Sequence, residues 1–260
     1  MSKEGRARRA SVRRAFQVSA GLVPWAALKL LFVLSPGASD ASDAELNRGD
    51  VFLAPGCTDS DGSAHPTAQS ATTCKVLAAL GFVAKSYQFH FFVRSGDDSH
   101  FRVDQLLLRV APVHVGSDKA PAVRNFVMGS WLHSTPDNPF NNVEDDAQRR
   151  DYGLWCFPNY PSGMGYVFSE GVARGLAALH ASIGLKDGYP EDGVVGLWLA
   201  GLSITSVSRI DSPCFYNFNA ESTLGKCRDD GILVHYMTPG TWDLVDASGR
   251  LPARCAMEST

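Results

Sequence analysis

The alternation of short apolar segments with longer helical segments constrains the fold of this chain most. Strands are predicted at 28–34 (LKLLFVL), 49–55 (GDVFLAP) and 89–95 (FHFFVRS), and the segment 72–87 between the last two has helical periodicity. Strand, helix and strand at this spacing are typical of parallel strands joined by right-handed crossovers. We therefore predict an α/β fold with a Rossmann-like, mostly parallel sheet and flanking helices.

The overall composition fits a globular domain and excludes some classes of partner. Of the 260 residues, 45% are hydrophobic and 20% are charged, which argues against disorder. The net charge of -3 provides no electrostatic footprint for nucleic acid, and no basic tract follows the N-terminal segment. We expect no nucleic-acid partner.

The N-terminal segment is basic and then apolar, which is the order found in a signal peptide or signal anchor. Pro24 and Lys29 interrupt the apolar part, and the run that follows Lys29 is too short to span a bilayer. We favour a basic helix at 5–18 that leads into the strand at 28–34, with a cleaved signal as the alternative. Residues 1–27 are accordingly treated as a separate basic segment.

The six cysteines are scattered and include no CxxC pair, which argues against a zinc ribbon and a thioredoxin-type motif. An even number permits disulfides, but buried free thiols explain the count equally well. The best candidates for a bridge are Cys214 and Cys227, which are close in sequence.

A pair of carboxylates, Asp97 and Asp98, directly follows the predicted strand 89–95. Adjacent carboxylates repel each other, and their burial is unfavourable unless a positive group lies against them. Ligands of open parallel sheets bind beyond the carboxyl ends of the strands. The pair therefore indicates a divalent-cation site, and a solvated turn is the ordinary alternative.

A second acidic pair, Glu191 and Asp192, begins the helix predicted within 188–204. Acids in a first helical turn are explained by the helix dipole alone. Two acidic pairs at the ends of two elements, one suited to a metal and the other to taking a proton, favour a metal-assisted transfer site. A metal-dependent hydrolase using the same carboxylates is an alternative.

The order of several motifs carries a family resemblance. RRASVRRAF resembles the pattern R..aiR.tW, FVRSGDDSHFRVDQLL lies ungapped on ylkTDDDvFvnvdnLL, and YPEDGVVGLWLAGLSI resembles EDVyvG.cl..lgi. YPSGMGYVFSEGVARGL and ILVHYMTP resemble further segments of the same series. These patterns belong to the inverting β-1,3-galactosyltransferases and β-1,3-N-acetylglucosaminyltransferases of glycosyltransferase family 31, including the divergent set of trypanosomatid parasites. The resemblance spans roughly residues 6–243.

The resemblance implies a GT-A-type glycosyltransferase fold and a division of the chain. Residues 28–243 would form the glycosyltransferase domain, with 28–110 as its nucleotide-sugar-binding half and 111–243 as its acceptor-binding half. Residues 244–260 would be a C-terminal tail. The family's first strand and membrane anchor are expected to be missing, so that the domain would be N-terminally truncated.

The resemblance also assigns donor-side roles. It implies that Asp98 and His235 bind a manganese ion, Mn²⁺, that bridges the diphosphate of a UDP-sugar. Asp97 would serve the ribose, the sugar or a metal-bound water, and Arg13 would lie near the nucleotide. Gly96 stands where the family has the first aspartate of its DDD motif.

On the acceptor side, the resemblance implies that Asp192 is the general base on the acceptor hydroxyl. Glu191 would orient the acceptor or cap the helix. Gly163, Gly165 and Tyr166 correspond to a glycine-rich strand beside the acceptor.

The implied function is transfer of galactose or N-acetylglucosamine, with inversion, from UDP-galactose or UDP-N-acetylglucosamine to a glycan acceptor in protein or lipid glycosylation. The implied location is the Golgi, or more widely the secretory pathway, where family members are type II membrane proteins. Membrane association would need a segment absent from this chain. The alternative is a non-catalytic truncated paralogue that binds nucleotide sugar or glycan, or a decayed copy, and Gly96 favours that alternative.

Overall fold

The computed structural model describes most of the chain in separate ranges. The described residues are 3–36, 42–58, 67–116, 122–132, 157–185, 191–202, 208–211, 215–217, 231–235 and 237. The predicted tail at 244–260 and the candidate bridge between Cys214 and Cys227 lie outside these ranges.

The described residues form six helices and nine strands. The helices are α1 (Lys3–Gly21), α2 (Asp43–Leu46), α3 (Thr67–Ser86), α4 (Val103–Val115), α5 (Glu170–Ile183) and α6 (Glu191–Gly201). The strands are β1 (Phe32–Leu34), β2 (Val51–Leu53), β3 (Phe91–Ser95), β4 (His100–Phe101), β5 (Phe126–Leu132), β6 (Tyr160–Ser169), β7 (Ser208–Asp211), β8 (Phe215–Asn217) and β9 (Leu233–His235). The predicted α/β fold class is confirmed.

The described strands form three sheets, with the orders β1-β2, β3-β6-β5-β7 and β4-β9-β8. The predicted parallel pairing of the first two strands is confirmed, since β1 and β2 run parallel, as do β5 with β7 and β8 with β9. The third predicted strand, β3, instead runs antiparallel to β6. Parallel and antiparallel pairs are equally frequent among the described strands, because β6 runs against both of its neighbours and β4 runs against β9.

The four-stranded sheet is buried by helices on both faces. Successive side chains of β6 point to opposite faces, so Tyr166 and Phe168 belong to the core beneath α3, α5 and α6. Val167, which lies between them, belongs to the core beneath α4. Strand β6 is an interior strand of this sheet and pairs with β3 on one side and β5 on the other.

Strand β6 runs directly into α5 at Ser169. Ser169 is the N-cap residue, but its hydroxyl makes no capping hydrogen bond. Its Oγ instead accepts a hydrogen bond from the backbone N–H of Phe126, at 3.0 Å. The serine therefore joins two strands, because it still lies within the paired part of β6.

The predicted basic helix at 5–18 is confirmed as α1, and Arg9 and Arg13 of this helix turn inward. Arg9 Nε lies 2.8 Å from Glu45 Oε1, and Arg13 Nε lies 2.7 Å from Asp50 Oδ2. These ion pairs attach α1 to α2 and to the start of β2. Among the helices of the described ranges, none combines the length and hydrophobicity needed to cross a bilayer.

A disulfide joins Cys57, in the turn after β2, to Cys74 in α3, with a Cα–Cα distance of 5.7 Å. The sequence did not single out this pair. Its members are 17 positions apart, and only the fold brings the turn against the helix.

Candidate functional site

The carboxyl end of β3 and the end of β9 meet at the first acidic pair. Strand β4 pairs antiparallel with β9, and the backbone N–H of Met237 donates to the carbonyl of Asp98 at 2.7 Å. This pairing brings His235 Nε2 to 3.4 Å from Asp98 Oδ2. Burial opposes ionisation of Asp98, but the hydrogen bond and charge of His235 outweigh it and lower the pKa of Asp98. The structure thus brings together the two predicted metal ligands.

The chemistry of this pair fits a divalent cation. A carboxylate oxygen and an imidazole nitrogen are suitable ligands for Mn²⁺. Within the described ranges, no group of three or more His, Cys, Asp and Glu side chains is placed to hold a metal. Two protein ligands suit a cation whose remaining positions are filled by phosphate oxygens and water.

Gly96 is in close contact with the Asp98 side chain. A Cβ atom at Gly96 would lie 2.5 Å from Asp98 Oδ1 and 3.3 Å from Ser99 Oγ. The carboxylate of Asp98 therefore occupies the space that a side chain at position 96 would need.

Asp97 is half-exposed and lies beside α1. Its Oδ1 is 3.8 Å from Arg8 Nη1. Burial raises the pKa of Asp97, and the charge of Arg8 opposes that rise. Arg8 therefore brings a positive charge to the donor end of the predicted site.

Arg13, which was predicted to lie near the nucleotide, forms hydrogen bonds to two carboxylates. Its Nε and Nη2 donate to the two oxygens of Asp50, and its Nη1 donates to Glu45 at 2.9 Å. Its guanidinium also lies 4.6 Å from the centroid of the Phe32 ring. The hydrogen bond to Asp50 is the main reason that the pKa of Arg13 is raised. In the described part of α1, the arginine beside Asp97 is Arg8.

The second acidic pair begins α6, and Asp192 is held by two backbone N–H groups. Gly163 donates to Asp192 Oδ2 at 2.8 Å, and Gly193 donates to Oδ1 at 3.0 Å. Burial raises the pKa of Asp192, although both N–H groups and Arg94 oppose the rise. A fixed carboxylate with a raised pKa is suited to act as a general base.

Glu191 is buried and uses both carboxylate oxygens within the protein. Tyr166 donates its hydroxyl hydrogen to Glu191 Oε1 at 2.5 Å, and Arg94 Nη2 lies 3.1 Å from Glu191 Oε2. Burial raises the pKa of Glu191, and Arg94 opposes this. The same burial raises the pKa of Tyr166 well above its usual value. Glu191 and Tyr166 thus form a buried pair behind Asp192.

The two glycines of the predicted acceptor-side strand have different neighbours. A Cβ at Gly163 would lie 3.2 Å from Asp192 Oδ2, so Gly163 allows the close approach of α6. A Cβ at Gly165 would overlap Leu233 Cδ1 and lie 2.9 Å from the carbonyl oxygen of Arg94. Gly165 therefore allows β9 to pack on the junction of β3 and β6.

Arg94 is a site residue that the sequence did not identify. The pairing of β3 with β6 sets Arg94 opposite Tyr166 and Ser95 opposite Gly165. Arg94 interacts electrostatically with Asp98 at one end and with Glu191 and Asp192 at the other. The sequence feature that could have identified it is a permanently charged residue within the otherwise apolar strand FHFFVRS. A buried positive charge requires a partner of opposite charge or a hydrogen-bond acceptor.

The chain is similar in sequence to known proteins. The sequence model of the family described as Galactosyltransferase matches residues 68–209, which is more than half of the chain and includes both acidic pairs. The chain is 26% identical over 168 residues to β-1,3-galactosyltransferase GALT1 of Arabidopsis thaliana, with 64% of the chain and 24% of that protein covered. It is 26% identical over 196 residues to β-1,3-galactosyltransferase 6 of Mus musculus, with 75% of the chain and 53% of that protein covered.

The chain spans about a quarter and about half of the lengths of these two curated relatives. The family match covers α3 to β7, so it includes β3, β6 and α6, the elements that position the acidic pairs. The resemblance drawn from the motifs is confirmed, and the chain belongs to the galactosyltransferase family.

Proposed function

We propose that this chain is an inverting glycosyltransferase that moves galactose or N-acetylglucosamine from a UDP-sugar to a glycan hydroxyl, with Mn²⁺ as cofactor, in protein or lipid glycosylation. The observation that carries the proposal is the placement of two unlike carboxylates around one strand pair. Asp98 is paired with His235 and has a lowered pKa, whereas Asp192 is held by backbone N–H groups and has a raised pKa. Family membership supports the same reading.

At the donor end, Asp98 and His235 would hold the cation. When bound there, Mn²⁺ would neutralise the negative charge that develops on the departing nucleoside diphosphate. Asp97 has an accessible carboxylate for the ribose, the sugar or a metal-bound water, and Arg8 adds a positive charge beside it. These groups bind and orient the donor.

At the acceptor end, Asp192 would take the proton from the attacking hydroxyl. Inversion requires a single in-line displacement, so one base on the face opposite the departing nucleotide is sufficient. Burial raises the pKa of Asp192 towards the working pH, which strengthens it as a base. The N–H groups of Gly163 and Gly193 keep its carboxylate in one orientation.

The test is a transfer assay with UDP-galactose or UDP-N-acetylglucosamine, Mn²⁺ and a panel of glycosides ending in galactose, N-acetylglucosamine or N-acetylgalactosamine. We expect UDP release to depend on one donor and one acceptor class, and NMR of the product to show a β linkage. Asp192→Asn should lower kcat by about 10²–10⁴-fold. Glu170→Gln, which alters a surface carboxylate paired with Arg174, should leave kcat unchanged.

Two results would contradict the proposal. Release of free sugar without transfer to any acceptor would indicate a hydrolase. A folded protein that binds UDP-sugar but transfers nothing would support the non-catalytic alternative.

We also propose that the protein resides in the secretory pathway, in the Golgi. The disulfide between Cys57 and Cys74 supports this, because such bonds persist in oxidising compartments and are rare in the cytosol. Imaging of a tagged protein with Golgi markers tests it, and a cytosolic signal with both thiols free by mass spectrometry would contradict it.

A further inference from the structure

Arg94 is a largely buried arginine that contacts three parts of the acceptor end. Its Nη2 lies 3.1 Å from Glu191 Oε2. Its Nη1 donates a hydrogen bond to the backbone carbonyl of Gly163. Its guanidinium lies 5.7 Å from the centroid of the Tyr166 ring. The single side chain therefore links β3 to β6 and to the start of α6.

The contact with Gly163 reaches the base through one residue. The carbonyl of Gly163 accepts from Arg94, and the N–H of the same residue donates to Asp192 Oδ2 at 2.8 Å. A Cβ at position 163 would lie only 3.2 Å from that oxygen, so little movement is available. A displacement of Gly163 would therefore displace the carboxylate.

We propose that Arg94 is a positioning residue for transfer: it holds Gly163 against Asp192 and brings a positive charge to the acidic pair at the start of α6. The inference rests on the proposed role of Asp192 as general base.

The charges around Asp192 give the sign of the effect. Glu191 precedes it on α6, Tyr166 faces them from β6, and Asp98 lies beyond the end of β3. Burial raises the pKa values of both Glu191 and Asp192, and the positive charge of Arg94 opposes both rises. Loss of this charge raises the pKa of Asp192 further, so a larger share of the enzyme has a protonated base at low pH.

Arg94→Met and Arg94→Lys separate the two parts of the proposal. In Arg94→Met, the acid limb of the pH profile of kcat/KM should move to higher pH, since losing an opposite charge raises the pKa of a carboxyl group. Arg94→Lys keeps the charge and should keep the limb in place. Lysine cannot reproduce the two-armed contact with Glu191 and Gly163, so its kcat should be lower at every pH.

Arg174→Met is a matched control, because Arg174 also contacts a carboxylate, backbone carbonyls and an aromatic ring. Its partners are Glu170, the carbonyls of Ala84 and Tyr87, and the ring of Phe89. These contacts lie on α5 and α3 and in the turn before β3, away from both acidic pairs. The control should lose stability without any movement of the acid limb.

A measurement that does not depend on activity separates this inference from the proposed function. NMR of protein labelled with ¹³C at the aspartate carboxyl carbons, with Asp192→Asn for assignment, follows the ionisation of Asp192 directly. We expect a higher titration midpoint in Arg94→Met than in the wild type and no change in Arg174→Met. If the wild-type protein transfers no sugar but the midpoint moves, the proposed function fails and the electrostatic role of Arg94 stands.

An unchanged midpoint together with an unchanged acid limb would overturn the electrostatic part. If Arg94→Met does not fold, Arg94→Lys decides, and a wild-type kcat in that variant would overturn the positioning part.

Discussion

Gly96 shows at the residue scale how a missing side chain shapes the donor end. The sequence suggests that replacing an aspartate with glycine simply removes a metal ligand. In the structure, Asp98 Oδ1 fills the space where a Cβ at position 96 would be. A side chain at position 96 would therefore require the Asp98 carboxylate beside His235 to shift.

Gly96→Ala should weaken Mn²⁺-dependent binding of UDP by about tenfold or more, because a Cβ placed 2.5 Å from Asp98 Oδ1 must push that carboxylate from its position. Calorimetry with UDP, with and without Mn²⁺, measures the effect. Gly81→Ala is the control, since a Cβ at this position in α3 meets nothing within 4 Å. Wild-type affinity in Gly96→Ala would show that Asp98 does not need this space.

The chemistry of single residues was more predictable than their partners. Asp98 and His235 were identified from their motifs, and the fold brings them within 3.4 Å. Arg13 was predicted to lie near the nucleotide, and the sequence did not predict its partners Asp50 and Glu45, which lie more than 30 positions away in sequence. Successive arginines of a helix point to different faces, and the sequence does not show which face meets the rest of the protein.

At the element scale, the attachment of α1 rests on buried ion pairs. Glu45 accepts hydrogen bonds from both Arg9 and Arg13 and is almost fully buried. The hydrogen bond from Arg9 is the largest cause that lowers the pKa of Glu45 to about 2, against the opposing effect of burial. The ionised Glu45 therefore stabilises the folded state.

This stabilisation should depend on pH. The pKa of Glu45 is lower in the folded state than in the unfolded state. The stabilisation is therefore fully present above about pH 4.5 and is lost as the pH falls towards about 2. Glu45→Gln should lower the free energy of unfolding at pH 7 by about 3 kcal/mol, and the difference from wild type should shrink on acidification.

Urea unfolding at pH 7 and pH 3 measures the difference. Glu170→Gln, in an exposed ion pair, should change the stability by less than about 1 kcal/mol at either pH. A Glu45→Gln effect of the same size at both pH values would contradict this account.

The disulfide between Cys57 and Cys74 ties the turn after β2 to α3. Cross-linking residues 17 positions apart restricts the unfolded chain and is expected to stabilise the fold by about 3 kcal/mol. The double variant Cys57→Ser/Cys74→Ser should unfold at correspondingly lower urea concentration, and dithiothreitol should destabilise the wild type but not the variant. Equal sensitivity of both proteins to dithiothreitol would contradict a stabilising role.

Strand β6 marks the limit of prediction for elements. The family resemblance implied a glycine-rich strand around Gly163, Gly165 and Tyr166, whereas the observed strand extends from Tyr160 to Ser169. Proline and glycine in YPSGMG argue against a strand in isolation. In the fold, the two glycines have a role, because Gly163 allows α6 and Gly165 allows β9 to pack closely against the strand. This reason lies in tertiary contacts, which a sequence pattern does not contain.

At the scale of the whole molecule, the site depends on the pairing of β3 with β6. The two acidic pairs are far apart in sequence, and the register of Arg94 with Tyr166 and Ser95 with Gly165 brings the strands that position them side by side. The proposed donor and acceptor halves thus share one strand pair, with Arg94 between them. Sequence motifs indicated both halves, but the residue that links them is visible only in the fold.

The most direct test of the central claim is calorimetric titration of UDP into the purified protein, with and without Mn²⁺, for the wild type and for Asp98→Asn. The account predicts that the wild type binds UDP only when Mn²⁺ is present and that Asp98→Asn abolishes this binding. A folded wild-type protein that shows no Mn²⁺-dependent binding of UDP, or an Asp98→Asn variant that binds as the wild type does, would contradict it.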